Sequence, residues 1–391
     1  MLPDVGKIDW LTKASIVAGA ALILKFLAGA YVNNNFFWDM RVYTAAATAF
    51  AVDGSAYSGS AGDKFVYAPY ILLLFSLLQP WLAELLLLGY VAVLIALLTQ
   101  PPGRLLVAGA CLASFWFSLD DPARAAQTGN ITPYLHALVL VGFFHVQRRS
   151  GMTFLTAVVI ASLFKPYFLA YLLLLGAVPG HPRDKLGGAI VAISLTASVY
   201  AAQWLHMPDL FSLFLDNLRA QVIGDTPGPG RDVGLASYYV YGQYFQRPMA
   251  LLLHTVSVGL VFALLMVIYT RSRPYLHPDT SHVLLFCGLL IVCILLNPRL
   301  KVYDWWIMQT AAVAMILVFL GQGLFRSWWM LVLALLCFVY SETLLSHAAD
   351  FASSVTRLVL VYSPLCIAIV MGLAAPGLLR KRAAEKPASR G

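Results

Sequence analysis

Apolar and polar residues alternate along this chain in long blocks, without the short periods of a soluble helix or strand. The apolar runs extend for about 13 to 24 residues, and short polar breaks separate them. A helix that crosses the bilayer core needs roughly 17 to 25 apolar residues. We therefore predict an all-α polytopic membrane protein of about 12 transmembrane helices, with spans near 14–32, 67–99, 105–119, 131–146, 152–164, 167–179, 187–205, 249–270, 281–296, 304–320, 327–344 and 355–378.

Two parts of this pattern predict interrupted spans. The run 67–99 is too long for one ordinary span and contains Gln79-Pro80, so we expect either a broken helix or an interfacial first half. The runs 152–164 and 167–179 are short and meet at Lys165-Pro166. Proline disfavours helical geometry at the residue before it. We therefore predict a hairpin at this point, with its tip at the outer face.

The basic residues assign the polar breaks to sides of the membrane. Loops rich in lysine and arginine stay on the cytoplasmic side. If seven basic breaks are cytoplasmic, the spans alternate and both termini face the cytoplasm of a multi-pass cell-membrane protein. These breaks hold Lys7 and Lys13, Arg104, Arg148 and Arg149, Arg183 and Lys185, Arg271 and Arg273, Arg326, and Arg380-Lys381-Arg382. We predict one transmembrane domain over 1–378 and a basic cytoplasmic tail over 379–391, which its composition predicts to be disordered.

Composition agrees with a membrane protein. Apolar residues make up 60% of the chain, charged residues 11%, and the mean hydropathy is +0.79, whereas soluble domains carry about 25% charged residues. Basic cytoplasmic loops explain the net charge of +8 better than a nucleic-acid partner does. The five cysteines lie in apolar runs without paired spacing, which is typical of packing residues. We find no phosphate loop, nucleophile elbow or metal-binding histidine pair, so neither a metal nor a cofactor is expected.

Asp39 and Arg41 follow the first predicted span directly, within an aromatic outer loop. An acidic residue at membrane depth costs about 2.5 to 3.5 kcal/mol at a helix centre and tends to mark function. Asp39 could instead cap the following helix, because aspartate is a preferred residue at that position. The sequence alone leaves both interpretations open.

Three further cations are predicted to face outward. Arg299 and Lys301 stand between two spans together with Asp304, and Lys165 stands at the hairpin tip. Arginine and lysine side chains can hold a phosphate, the first through a bidentate fork and the second as a point charge. The alternatives are a local ion pair with Asp304 and simple snorkelling of the side chains to the interface.

Other outer residues suit contacts with a sugar. Gln127 and Asn130 could hydrogen-bond to sugar hydroxyls, and Tyr67 precedes Pro69 at what could equally be an ordinary helix start. The predicted outer loop 206–248 ends in Tyr238, Tyr239, Tyr241 and Tyr244. These tyrosines could stack on sugar rings, but we prefer to interpret them as an interfacial belt.

Several short motifs follow one another along the chain: Trp38-Asp39-x-x-x-Tyr43-x-x-Ala46, Gly54-x-x-Tyr57, Tyr67-x-Pro69, Gln127-x-Gly129-Asn130 and Lys165-Pro166-Tyr167. Their order resembles glycosyltransferase family 87 of the C-type superfamily, which includes polyprenyl-phosphate-mannose-dependent mannosyltransferases. The resemblance covers about residues 10–180 and is looser to 320. Family members often carry histidine near the loop before the tenth span, where this chain has Arg299 to Asp304.

The resemblance implies a C-type architecture and an inverting transfer of a hexose, mannose in the family, at the outer face of the membrane. The donor would be a polyprenyl-phosphate sugar among the membrane lipids, and the acceptor a glycolipid or glycan. Asp39 would be the general base. We assign the donor phosphate to Arg299 and Lys301 first, then Lys165 and Arg41. Candidate sugar or acceptor contacts are Tyr43, Tyr67, Gln127, Asn130 and Asp304.

The main alternative is a flippase or transporter of lipid-linked saccharides, which would use the same cations but form no new bond. Transporters of this kind often contain an internal repeat, and none is evident in this sequence. A non-enzymatic membrane scaffold is a third possibility, but it would leave the outward charges without a purpose.

Overall fold

The computed structural model describes residues 38–57, 65–99, 101–116, 129–146, 151–223, 237–297, 302–322 and 352–385, together with six separate helical residues between 13 and 32. The chain is helical, and no strand occurs within those ranges. The predicted all-α class is therefore confirmed. The predicted spans 327–344 and most of 14–32 lie outside the described residues.

Thirteen α-helices are described, and we number them in chain order. They are α1 (Trp38–Asp53), α2 (Pro69–Leu78), α3 (Leu82–Leu98), α4 (Pro101–Trp116), α5 (Thr132–Val146), α6 (Met152–Phe164), α7 (Pro182–His206), α8 (Pro208–Ile223), α9 (Ser237–Tyr244), α10 (Arg247–Ser272), α11 (Pro278–Leu295), α12 (Val302–Gly321) and α13 (Ala352–Glu385). Three 3₁₀ segments join or extend them, at Gln79–Trp81, Pro166–Ala177 and Arg273–Tyr275.

Four helical segments in the described part of the chain are long and apolar enough to cross a bilayer: Pro182–His206, Arg247–Tyr275, Pro278–Leu295 and Pro364–Lys381. Large apolar side chains on three of them are exposed, including Leu186 at 63%, Leu260 at 62% and Val370 at 58%. Exposed apolar surface on this scale indicates contact with lipid or another apolar partner. These helices support a membrane protein, and the count of twelve spans stays a prediction.

Both predicted interruptions are present. A 3₁₀ turn at Gln79–Trp81 separates α2 from α3. Lys165 adopts an extended conformation (φ −144°, ψ 109°) between α6 and the next segment, as its position before Pro166 requires. The two segments on either side of Lys165 pack against each other.

The segment Pro166–Ala177 is a 3₁₀ helix of 12 residues. Side chains three residues apart eclipse one another in this geometry. Its buried face follows that period, because Phe168, Tyr171, Leu174 and Ala177 are all nearly inaccessible to solvent. Because the whole segment is apolar, a hydropathy profile does not show that every third residue is buried.

Two regions differ from the sequence-based expectation. The stretch 206–248, predicted as an outer loop, contains α8 and α9. Pro208 in the first turn and Asp209 beside it are favourable at a helix start, which explains α8. At the C-terminal end, α13 continues to Glu385, past residue 379 where the disordered tail was predicted to begin.

The chain divides into two compact units, and the single transmembrane domain stays a prediction. The Asp39 unit comprises Leu24–Gly103 and Pro122–Thr226. Within it α1 packs on α2, α3 on α5, α5 on α6, and α6 on α7. The Asp304 unit comprises Met1–Ile23, Arg104–Asp121 and Pro227–Gly391. There α11 packs on α12, α12 on α13, and α10 on α9, α11 and α13.

Asn217 of α8 holds the chain that leads into α2. Its buried Nδ2 donates to the carbonyl oxygens of Tyr57 at 3.2 Å and Phe65 at 3.3 Å. The Tyr57 hydroxyl in turn donates to the Tyr67 carbonyl at 2.8 Å. This bracket fixes both ends of the 57–65 segment beside the tyrosines described below.

We expect Asn217→Leu to lower the unfolding free energy by about 1–3 kcal/mol, because two buried carbonyls lose their donor. Thermal unfolding of the purified protein in detergent measures the change. Asp216→Asn is the matched control, since this neighbouring side chain is 65% exposed and its ion pair with Arg219 is long at 3.9 Å. Exposed pairs contribute about 0–1 kcal/mol. Equal unfolding midpoints for the two variants would contradict the bracket.

Candidate functional site

Asp39 lies in the first turn of α1, and its carboxylate is hydrogen-bonded across the Asp39 unit. The side-chain amide Nδ2 of Asn130 donates to Asp39 Oδ2 at 2.8 Å. Asn130 is 6% exposed and Asp39 is half-buried. A neutral amide donor favours the ionised carboxylate.

Asn130 also caps α5. Its Oδ1 accepts the backbone N–H of Thr132 at 2.9 Å, as asparagine commonly does at a helix start. Gly129 before it adopts φ +68°, a left-handed conformation that glycine allows at no steric cost. The two ends of the Asn130 amide therefore have different partners, and Nδ2 is the end that faces Asp39.

Tyr43 stands one turn after Asp39 on the same face of α1. Its hydroxyl accepts the backbone N–H of Ile131 at 3.4 Å and pairs with the Tyr67 hydroxyl at 3.0 Å. The ring stacks on Phe75 with centroids 4.9 Å apart. Burial raises the pKa of Tyr43 well above its ordinary value, and the negative charges that Tyr67 and Asp39 can carry raise it further. The hydroxyl consequently stays neutral at working pH and keeps its hydrogen bonds.

Lys165 reaches the same cluster from the break between α6 and the 3₁₀ segment. Its Nζ donates to the hydroxyl oxygen of Thr132 and lies 5.7 Å from the centre of the Tyr67 ring. A cation over the face of an aromatic ring is attracted by the ring quadrupole. The ammonium is half-buried, whereas Thr132 and Tyr67 are buried.

A buried pair behind Lys165 fixes the 3₁₀ segment against α5. His136 Nδ1 and the Tyr171 hydroxyl are 2.6 Å apart, and both side chains are fully buried. The His136 ring also packs on Phe168 with centroids 4.7 Å apart. Thr132 and His136 are one helical turn apart on α5, so the same face of this helix contacts both Lys165 and the segment that follows it.

Five of the residues selected from the sequence thus meet in one cluster of the Asp39 unit: Asp39, Tyr43, Tyr67, Asn130 and Lys165. Arg41 is exposed on α1. It stands two residues from Asp39, and side chains at that spacing do not share a helix face. Gln127 lies outside the described residues.

The Asp304 unit contains a buried carboxylate. Asp304 of α12 is 3% exposed and accepts a hydrogen bond from Asn297 Nδ2 at 3.3 Å. Arg299 and Lys301 lie outside the described residues, and so does any local ion pair that they form with Asp304. Their predicted role at a phosphate therefore stays a prediction.

The four tyrosines near the end of the 206–248 stretch all lie on α9. Tyr239 is buried, Tyr244 is 65% exposed, and the Tyr241 hydroxyl pairs with Ser257 of α10 at 2.7 Å. Ser237 on the same helix pairs with His254 Nδ1 at 2.8 Å. Polar contacts with α10 thus account for part of this group.

Two residues beside the cluster, Thr132 and His136, were not selected from the sequence. Thr132 and His136 sit in an apolar run, and neither has a motif around it. The capping function of Asn130 did leave a signal, because asparagine precedes Thr132-Pro133 at a helix start. In the described parts of the chain, no group of three or more His, Cys, Asp and Glu side chains could hold a metal ion.

No family model matches the chain, and neither a curated protein nor a solved structure matches it. The resemblance to glycosyltransferase family 87, and every role that depends on it, therefore stays a prediction.

Proposed function

We propose that this chain is a membrane glycosyltransferase. It transfers a hexose, with mannose as the first candidate, from a polyprenyl-phosphate donor to a hydroxyl of a glycolipid or glycan acceptor. The anomeric configuration is inverted. Asp39 is the general base, and Lys165 is a cation for the donor phosphate.

One observation supports this proposal most strongly. Asp39 and Lys165 come from distant parts of the sequence, yet they bind Asn130 and Thr132, two residues apart in one short stretch. A carboxylate and a cation in one polar cluster of a largely apolar unit are costly to maintain in a membrane and tend to mark function. A transfer from a lipid phosphate needs both groups.

The chemistry assigns a separate task to each group. The acceptor hydroxyl oxygen forms a bond with the anomeric carbon, while the bond from that carbon to the phosphate oxygen breaks. The hydroxyl proton passes to the Asp39 carboxylate, which must lie within hydrogen-bond reach of it. The bonding electron pair leaves with the polyprenyl phosphate, which changes from a diester to a monoester and gains negative charge.

The developing charge explains the need for a fixed cation. An ammonium held in place before the reaction stabilises charge in the transition state without further reorganisation. The bond to Thr132 and the ring of Tyr67 restrict the Lys165 side chain in this way. Arg299, Lys301 and Arg41 remain candidates for further phosphate contacts, and Gln127 and Asp304 for the sugar or acceptor.

We also propose how the protein is oriented in the membrane. The active site would face the outer side of the cell membrane, with twelve spans and both termini in the cytoplasm. Support comes from the sequence distribution of lysine and arginine. Cysteine labelling with a membrane-impermeant reagent at an introduced site near Asp53 tests the predicted side.

Product analysis separates a transferase from a flippase. We expect purified protein mixed with a polyprenyl-phosphate mannose and a glycolipid fraction to release polyprenyl phosphate and to form a product heavier by one hexose. Mass spectrometry detects both species. Movement of the donor between leaflets of a vesicle without any new glycosidic bond would favour the flippase and contradict the transferase.

A further inference from the structure

Residues 130–132 contact three side chains of the proposed site at once. Asn130 Nδ2 donates to Asp39 Oδ2, the Ile131 N–H donates to the Tyr43 hydroxyl, and the Thr132 hydroxyl accepts from Lys165. The three partners belong to α1 and to the end of α6. This short stretch at the start of α5 is therefore the common support of the carboxylate, the tyrosine and the ammonium.

The geometry of the stretch is itself fixed. The backbone N–H of Thr132 donates to Asn130 Oδ1 at 2.9 Å. The side-chain amide of Asn130 therefore cannot rotate without losing the helix cap. Thr132 is fully buried and Asn130 nearly so. Displacement of these hydrogen bonds by water is thereby limited. The donor to Asp39 and the acceptor for Lys165 are held at a separation set by the backbone of one helix start.

We propose that residues 130–132 are a positioning element of the transferase site, in which Asn130 orients the Asp39 base and Thr132 orients the Lys165 ammonium. The inference rests on the proposed function and assigns Asn130 a different task from the sugar contact expected from the sequence. Misplacement of a reacting group by about 1 Å can cost about 100-fold in rate. A rigid support shared by base and cation limits such errors.

Several charged and titratable groups lie around Asp39 and influence its proton binding in the wild-type protein and in the Asn130 variants. They are Tyr43 one turn away on the same face, Tyr67 paired with Tyr43, Arg41 on the neighbouring face of α1, and Lys165 on Thr132. Only the Asn130 amide changes in the variants that test the base. The hydrogen bond favours the ionised carboxylate, so its removal moves proton binding to higher pH.

The experiment compares pH profiles of kcat/KM for sugar transfer. We expect Asn130→Ala to lower kcat at least tenfold and to move the acid limb upward by about one pH unit. Asn130→Asp keeps an oxygen for the helix cap and replaces the donor with a like charge, so it moves the limb further upward. Because this second variant keeps the acceptor for the Thr132 N–H, it replaces Asn130→Ala in the comparison if Asn130→Ala does not fold.

The donor KM tests separately whether Thr132 orients the Lys165 ammonium. Thr132→Val removes the hydroxyl at nearly constant volume, and we expect a several-fold higher KM for the donor with the acid limb unmoved. Thr132→Ser restores the hydroxyl and should recover the wild-type donor KM. An unmoved acid limb in both Asn130 variants would overturn the inference, as would equal limb shifts in Asn130→Ala and Thr132→Val.

Failure of the inference differs from failure of the proposed function. If Asp39→Asn is inactive but both Asn130 variants keep the wild-type acid limb, only the positioning element is overturned. If the wild-type protein transfers no sugar, or Asp39→Asn transfers it normally, the proposed function and the positioning element both fail.

Discussion

Asp39→Asn is expected to lower the kcat of sugar transfer by about 10²–10⁴-fold, the usual contribution of a general base. The substitution changes neither the shape of the side chain nor its ability to accept the hydrogen bond from Asn130. It removes the site that takes the acceptor proton. Donor binding should change little, because the base acts on the acceptor hydroxyl. Steady-state kinetics with a lipid-linked mannose donor measure both quantities.

The matched control is Asp209→Asn. Asp209 also lies in the first turn of a helix, α8, but its side chain is exposed. If Asp39 serves only to stabilise a helix start, both substitutions should cost a similar 0.3–1 kcal/mol or so of stability and leave turnover intact. Near-normal turnover by Asp39→Asn would remove Asp39 from the mechanism.

Lys165→Met is expected to have the second largest effect, a loss of about 10²–10³-fold in kcat/KM for the donor. Methionine keeps much of the apolar stem but lacks the ammonium that faces the departing phosphate in the proposed mechanism. Charge on that phosphate increases as the glycosidic bond breaks, so kcat should fall together with donor affinity. A donor titration at saturating acceptor separates kcat from KM.

Lys185→Met provides the comparison for this variant. Lys185 is also half-buried but lies near the start of α7, where a cytoplasmic loop was predicted. Its substitution should leave transfer within about twofold of wild type. Wild-type donor kinetics in Lys165→Met, which can neither donate to Thr132 nor place a cation over Tyr67, would show that this ammonium does not serve the phosphate.

Local chemistry made parts of the fold predictable from the sequence. Lys165-Pro166 indicated a break, and Lys165 is extended because proline disfavours helical geometry in the residue before it. Gln79-Pro80 also indicated a break, but Gln79 stays helical (φ −45°, ψ −44°) and the chain tightens there into a 3₁₀ turn. The helix α8 was missed although Pro208 and Asp209 are ordinary start signals.

The site was predictable only as a set of separate candidates. Asp39 stood out because a carboxylate near a span is unusual. Its partner Asn130 is 91 positions away, and a hydropathy profile contains no information about which helices pack together. Thr132 illustrates the limit, since a threonine in an apolar run is common and only the fold brings it to Lys165. Only the three-dimensional fold shows that α1 lies beside the start of α5.

The 3₁₀ geometry of Pro166–Ala177 makes this segment longer than an α-helix with the same number of residues. A 3₁₀ helix rises about 2.0 Å per residue, against about 1.5 Å in an α-helix, so its 12 residues cover about 24 Å where an α-helix would cover about 18 Å. The hydrocarbon layer of a bilayer is about 30 Å thick. With extended residues at both ends, Lys165 and Val178, this segment is longer than its residue count suggests, and its length is comparable to most of that thickness.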